Sequence, residues 1–150
     1  KRASLSSSSL SIVSELKSGS AWYVPGGCST IGRLFNDACG RYAFAEDKHS
    51  GSIPLAFETV FDKAGDADVW TIKYNRDRDM TYSDLKADYI GYTGFKAFKT
   101  RNIYGCNTAK VPFYEETPFR PDYLLSDLIQ ILHPEIGDLG GLRYFCKLNE

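Results

Sequence analysis

The stretch Pro54–Tyr74, PLAFETVFDKAGDADVWTIKY, decides the fold. In its first half Phe57, Val60, Phe61 and Ala64 recur at helical spacing and form one apolar face, and Pro54 suits the first turn of a helix. Its second half, DVWTIKY from Asp68 to Tyr74, is dense in β-branched and aromatic residues and reads as an interior strand. A helix that runs into a buried strand is the repeating step of an α/β layer.

Towards the N-terminus, SLSIVSEL (Ser9–Leu16) partly alternates apolar and polar residues and predicts a strand, KSGS predicts a bend, and AWYV predicts a second short strand ending at Pro25. After Gly26-Gly27, residues Ile31, Leu34, Phe35, Ala38 and Cys39 predict a helix, with Ser29 or Cys28 as its cap and Gly40 as its terminator. YAFA (Tyr42–Ala45) reads as a short strand and EDKHSGS as a polar loop. Towards the C-terminus, NRDRD after Tyr74 is a polar loop, Thr81–Asp88 and Gly94–Lys99 are short helical pieces, and NIYGCN is a strand. The run Leu124, Leu125, Leu128, Ile129, Ile131 and Leu132, introduced by Pro121 and Asp122 and stopped by Pro134, is a helix, and LRYFCKL is an edge strand. Strands alternating with helices predict one three-layer α/β/α, Rossmann-like lobe over residues 1–150, with a mostly parallel central sheet. In such folds ligands sit where the C-terminal ends of the strands meet their loops.

The bulk composition removes several functions. Eighteen basic against 19 acidic residues leave a net charge of −1, so no global field attracts nucleic acid or an anionic membrane. No apolar run approaches the roughly 20 residues of a membrane span. Ten tyrosines, nine phenylalanines and two tryptophans supply flat faces that serve a ligand surface as well as a core. Cys28, Cys39, Cys106 and Cys146 lack the close pairs of a zinc site, with only His49 and His133 beside them, so no metal site is expected; their disulfide pairing stays open. The opening KRASLSSSSLSIV has no continuous apolar stretch and is not a signal peptide, so an export signal has been removed or the chain is part of something longer.

Catalysis finds little support. Gly26-Gly27-Cys28-Ser29 opens a helix, but no lysine follows as in a phosphate-binding loop. Cys28 at a helix N-terminus is a conceivable nucleophile, yet Arg33 is five positions on where a cysteine-phosphatase loop needs six. His49, Glu58, Asp66, Asp68, Glu115 and Glu116 form no recognised acid–base arrangement; Asp66 and Asp68 flank a strand start, away from the ligand edge, and Glu115-Glu116 read as a solvated loop pair. Arg76 and Arg78 follow the DVWTIKY strand and suit carboxylates or a chelate anion. His133 reads as a helix C-terminal cation.

Four segments together, AWYVPGG, GSIPLAFETVFDKAGDADVW, FKAFKTRNIYGCN and RPDYLLSDLIQILHPE, resemble the C-terminal lobe of periplasmic substrate-binding proteins of the iron-siderophore, haem and cobalamin class. The resemblance implies two α/β lobes joined by a rigid helix, of which the N-terminal lobe and linker are absent here. It further implies an iron or cobalt chelate held between the lobes, no cofactor and no enzymatic reaction. The partners implied are an ABC permease of the inner membrane and the missing lobe, and the location is the periplasm or cell envelope, with a lipoprotein anchor in the missing part. By position it makes Trp22, Tyr23, Ser52, Tyr74, Arg76, Tyr114 and Arg120 ligand-facing, Ser52 standing where relatives often carry Trp, and it makes Glu58 the carboxylate that docks on permease arginines. Two rival readings stand beside it: a small cysteine-dependent enzyme using Cys28 with Arg33 or His49, and a stand-alone protein-interaction domain.

Overall fold

The computed structural model describes residues 10–18, 21–38, 40–117, 119–133 and 142–148, apart from the side chain of Tyr114. Cys39, Pro118 and Pro134 lie outside the described residues. The central sheet runs in the order β4 (Arg41–Tyr42), β1 (Ser11–Ser14), β6 (Val69–Tyr74), β7 (Ile103–Asn107), β8 (Cys146–Lys147). The first four strands are parallel and β8 is an antiparallel edge. Strands buried on both faces need continuous apolar sequence, and Val69, Trp70, Thr71 and Ile72 are all buried.

Alternation along β6 sends Trp70 and Ile72 to one face of the sheet and Thr71 and Lys73 to the other. On the Thr71 face pack α1 (Thr30–Asp37), α5 (Phe113–Glu116) and α6 (Pro121–Leu132), through Ile31, Phe35, Phe113, Leu124 and Leu128. On the Trp70 face lie α2 (Phe57–Ala64), a 3-10 turn (Ile90–Gly94), α4 (Lys96–Lys99) and a second sheet. That sheet is antiparallel, in the order β2 (Lys17–Ser18), β3 (Ala21–Pro25), β5 (Ser52–Leu55). α3 (Tyr82–Asp88) completes the lobe.

The second sheet is fastened to the first by two tryptophans. Trp22 and Trp70 stack at 5.7 Å, and both are fully buried among Phe57, Tyr92 and Phe95. Their indole N–H groups donate to consecutive carbonyls at the end of β1, Trp22 to Ser14 at 3.0 Å and Trp70 to Glu15 at 2.9 Å. Glu15 holds a φ of 73°, the left-handed turn by which the chain leaves β1 for the second sheet.

Local chemistry fixes the helix starts. Ser29 caps α1, accepting from Gly32 N–H at 3.0 Å and donating to Gly26 O at 2.6 Å. A Cβ on Gly26 or Gly27 would lie 2.3 Å from His49 O or 2.2 Å from Ala45 O, so this turn requires glycine by close approach. Thr81 and Asp84 form a capping box on α3. The C-terminal edge strand hangs on buried Asp127 of α6, whose carboxylate accepts from the N–H groups of Arg143, Tyr144 and Phe145 at 2.8, 2.7 and 3.1 Å.

Five sequence expectations are corrected. Pro54 sits in β5, an edge strand where a missing N–H costs no ladder bond, and α2 starts only at Phe57. Lys17–Ser18, within the expected bend, pairs with β3 as a strand. Of YAFA only Tyr42 is extended; residues 43–46 turn to carry the chain past Gly27. Glu115 and Glu116 belong to the short helix α5, where Glu116 accepts from the Tyr144 hydroxyl at 2.9 Å. His133 is a buried cap of α6, its Nε2 donating to Ala38 O at 2.7 Å, and so joins the ends of α6 and α1 instead of facing solvent.

Truncating Trp22 to Ala removes a buried ring and its hydrogen bond, and should cost about 3–5 kcal/mol in urea unfolding. Trp22→Phe keeps most of the ring but orphans Ser14 O, for about 1–3 kcal/mol. A Trp22→Ala midpoint equal to that of the parent chain would remove the tryptophan pair as the link between the sheets.

Candidate functional site

The C-terminal edge of the sheet is built at the ends of β1, β6 and β7. Lys73 pairs with Glu15 at 3.1 Å and covers the ring of Phe113, closing the centre of this edge. Asn107 holds the loop after β6: its Nδ2 donates to Arg76 O at 2.9 Å and its Oδ1 accepts from Ala109 N–H at 3.1 Å. The Tyr74 hydroxyl accepts from Met80 N–H at 3.0 Å, and burial raises its pKa above the ordinary phenol value. Arg76 extends to Asp88 at 3.2 Å, and Arg78 forks onto both oxygens of Asp84 at 2.8 Å.

The expected site residues divide into separate groups. Tyr23 and Ser52 share the second sheet: Tyr23 is 49% exposed and Ser52 is exposed opposite Pro25. Tyr74 and Arg76 stand at the end of β6. Arg120 precedes α6, forked onto Asp122 at 3.0 and 2.8 Å, and its guanidinium lies 4.0 Å from the centre of the Tyr123 ring. The side chain of Tyr114 lies outside the described residues.

Trp22 is corrected. Alternation along β3 turns Tyr23 out and Trp22 in, and Trp22 at 0% exposure is core and not a cleft face.

The rim also holds residues that sequence reasoning missed. Arg143 lies 3.8 Å from the same Tyr123 ring, so the two guanidinium groups must occupy its opposite faces. Beside them Phe119 is 82% exposed. The i, i+3 spacing of Arg120 and Tyr123 was visible in RPDY; the approach of Arg143 depends on Asp127 and was not.

The features considered for catalysis are dispersed. Cys28, Cys106 and Cys146 carry free thiols; burial pushes Cys106 up to about 12, which keeps it protonated. Cys28 N–H donates to His49 O at 3.1 Å, and the His49 ring meets Asp47 at 2.8 Å on an exposed loop. Among the described residues no group of three His, Cys, Asp or Glu side chains stands together to hold a metal ion. The largest described cavity, about 640 Å³, opens at the opposite sheet edge beside Ser11, Arg41, Asp68 and Lys96. There Asp68 ties β1 to α4, accepting from Ser11 N–H at 3.0 Å and pairing with Lys96, a bracing role away from the ligand edge.

Glu58 is exposed in the first turn of α2, where the helix dipole favours a carboxylate, and it has no ion-pair partner among the described residues.

The sequence pattern of the periplasmic binding protein family matches residues 2–109, and this chain belongs to that family. An uncharacterized lipoprotein of Methanocaldococcus jannaschii is 31% identical over 128 residues, covering 85% of this chain and 30% of the relative. A TroA-like periplasmic binding protein, FepB, from Veillonella parvula superposes on 98% of this chain and 51% of its own, with a TM-score of 0.69 at 13% identity. The Fe3+-hydroxamate transport system protein of Saccharomonospora viridis covers 86% of this chain and 42% of its own, with a TM-score of 0.56 at 16% identity. The chain thus spans about half the length of these solved structures and less of the curated relative, and the likeness to the solved structures is one of fold.

The Arg78–Asp84 clamp gives a pH signature. The hydrogen bond from Arg78, then that from Thr81, holds the Asp84 carboxyl well below its usual range. The stability it contributes is therefore present above the unfolded value of about 4 and is lost as pH falls below it. Asp84→Asn should flatten the decline of thermal stability below pH 4; an unchanged slope would show that the clamp contributes none of it.

Proposed function

We propose that this chain is one lobe of a two-lobed substrate-binding protein, the C-terminal one, which captures a metal chelate for an ABC importer in the cell envelope. The observation that carries the reading is the rim of the C-terminal sheet edge. There flat exposed rings, Tyr23 and Phe119, stand on the same lobe as the arginines Arg76, Arg120 and Arg143. Rings remove a chelate's flat or aliphatic surface from water, and guanidinium groups pair with its carboxylate, catecholate or hydroxamate oxygens. Each of these arginines already faces a carboxylate, Asp88, Asp122 or Glu116, so an anionic ligand exchanges one partner for another without leaving a charge unpaired. No bond is made or broken in the bound molecule. The similarity to a Fe3+-hydroxamate transport protein favours an iron siderophore over haem or cobalamin. The second wall of the cleft belongs to the other lobe, and the lipoprotein relative favours a membrane-anchored protein. Glu58 presents the loaded protein to the permease.

Titrating the chain with ferric desferrioxamine, haemin and cyanocobalamin, followed by tyrosine and tryptophan fluorescence, should give saturable quenching by the ferric hydroxamate. Tyr23→Ala and Arg120→Ala should each weaken it about fivefold or more. Absence of saturation with all three chelates would overturn the reading. Glu58→Gln should leave that titration unchanged yet lower permease-coupled uptake at least fivefold, and equal uptake would remove the docking role.

A further inference from the structure

We infer that the solvent face of α2 receives an arginine side chain of the docking partner, in a notch floored by Phe61 and walled by Glu58, Asp62 and Asp66. The inference rests on the docking role proposed for Glu58 and names the chemistry of what docks there. Residues 58, 62 and 66 are four apart and project from one side of the helix and its following turn. All three are exposed, and none has an ion-pair partner among the described residues, whereas Asp68, Asp79, Asp84, Asp88, Glu116 and Asp122 are paired within the chain. This stripe of negative charge is thus left for something outside the lobe.

The notch itself is made by missing side chains. It is about 420 Å³, lined by Phe57, Glu58, Phe61, Asp62, Gly65, Asp66 and Gly94. A Cβ at Gly94 would meet the Phe61 ring at 3.1 Å, and one at Gly65 would meet it at 3.2 Å. One face of Phe61 rests on Phe57, with ring centres 5.8 Å apart and planes nearly parallel. At 41% exposure, the rest of the ring borders the notch. A well-packed protein buries such a ring unless a partner covers it.

An aromatic floor with carboxylate walls selects the partner group. A guanidinium stacks flat on a ring while its edge N–H groups reach carboxylates on both sides, which a compact, strongly hydrated ammonium does less well. The occupant is therefore an arginine in preference to lysine, and an apolar or acidic partner surface is excluded by the stripe.

The probe is acetyl-arginine methylamide, compared with the acetyl-lysine and acetyl-citrulline analogues, in 1H–15N and aromatic NMR titrations of the chain at low salt. The arginine probe should shift Gly65, Asp66, Gly94 and the Phe61 ring saturably, at least threefold more tightly than the lysine probe, and the neutral citrulline probe should not saturate. Phe61→Leu, which keeps an apolar contact to Phe57, should abolish the preference for arginine over lysine. Asp62→Asn, an exposed change that leaves the fold alone, should weaken the arginine probe about threefold. Shifts scattered over the surface, or equal response to all three probes, overturn the notch and leave the docking role of Glu58 standing. Wild-type uptake by Glu58→Gln overturns the docking role, and with it the partner named here, whatever the titration gives.

Discussion

Two indole N–H groups ending on neighbouring carbonyls hold this lobe in its shape. Trp22 comes from the small antiparallel sheet and Trp70 from the centre of the parallel one, and both donate to the last residues around the end of β1. A buried carbonyl without a donor costs about 1–3 kcal/mol, so the end of β1 is only stable where it is if both rings arrive. Their stacking then sets the distance between the sheets, and Phe57, Tyr92 and Phe95 fill in around them. The left-handed turn at Glu15 follows from the same constraint, because the chain must reverse there to bring β2 and β3 over the rings. Tyr23 is exposed because Trp22 is buried: one position further along the strand, the side chain turns out.

The sequence disclosed the layers and most of their boundaries. DVWTIKY became the central β6, the Leu124–Leu132 run became α6 and LRYFCKL became the edge strand, because each depends on apolar period and on breakers that act locally. The second sheet was not legible. Lys17–Ser18 and Ser52–Leu55 are short and polar, and become strands only by pairing with β3, a long-range interaction that local pattern does not report. Pro54 misled for the same reason: proline opens helices and also tolerates an edge strand, and only the neighbouring strand decides.

Of the expected site residues, the exposed Tyr23, Ser52 and Arg120 follow from a turn or strand end, whereas Trp22 failed because aromatic content does not say which face is buried. The Arg120–Tyr123–Arg143 stack could not be read at all, since Arg143 is brought to Tyr123 by three backbone N–H groups converging on Asp127. Charge tells the two functional surfaces apart. At the sheet edge the arginines are already answered by carboxylates, ready for exchange, and on α2 the carboxylates are left unanswered. One surface suits an anionic small molecule; the other suits a basic protein.

The central claim is that the ligand surface is the C-terminal edge of the sheet. It is tested most directly by a 1H–15N NMR titration of the chain with gallium-loaded desferrioxamine, a diamagnetic stand-in for the ferric complex. Resonances of Tyr23, Arg76, Phe119, Tyr123 and Arg143 should move together and saturate. Movement confined to Ser11, Arg41, Asp68 and Lys96, around the cavity at the opposite edge, would contradict the account.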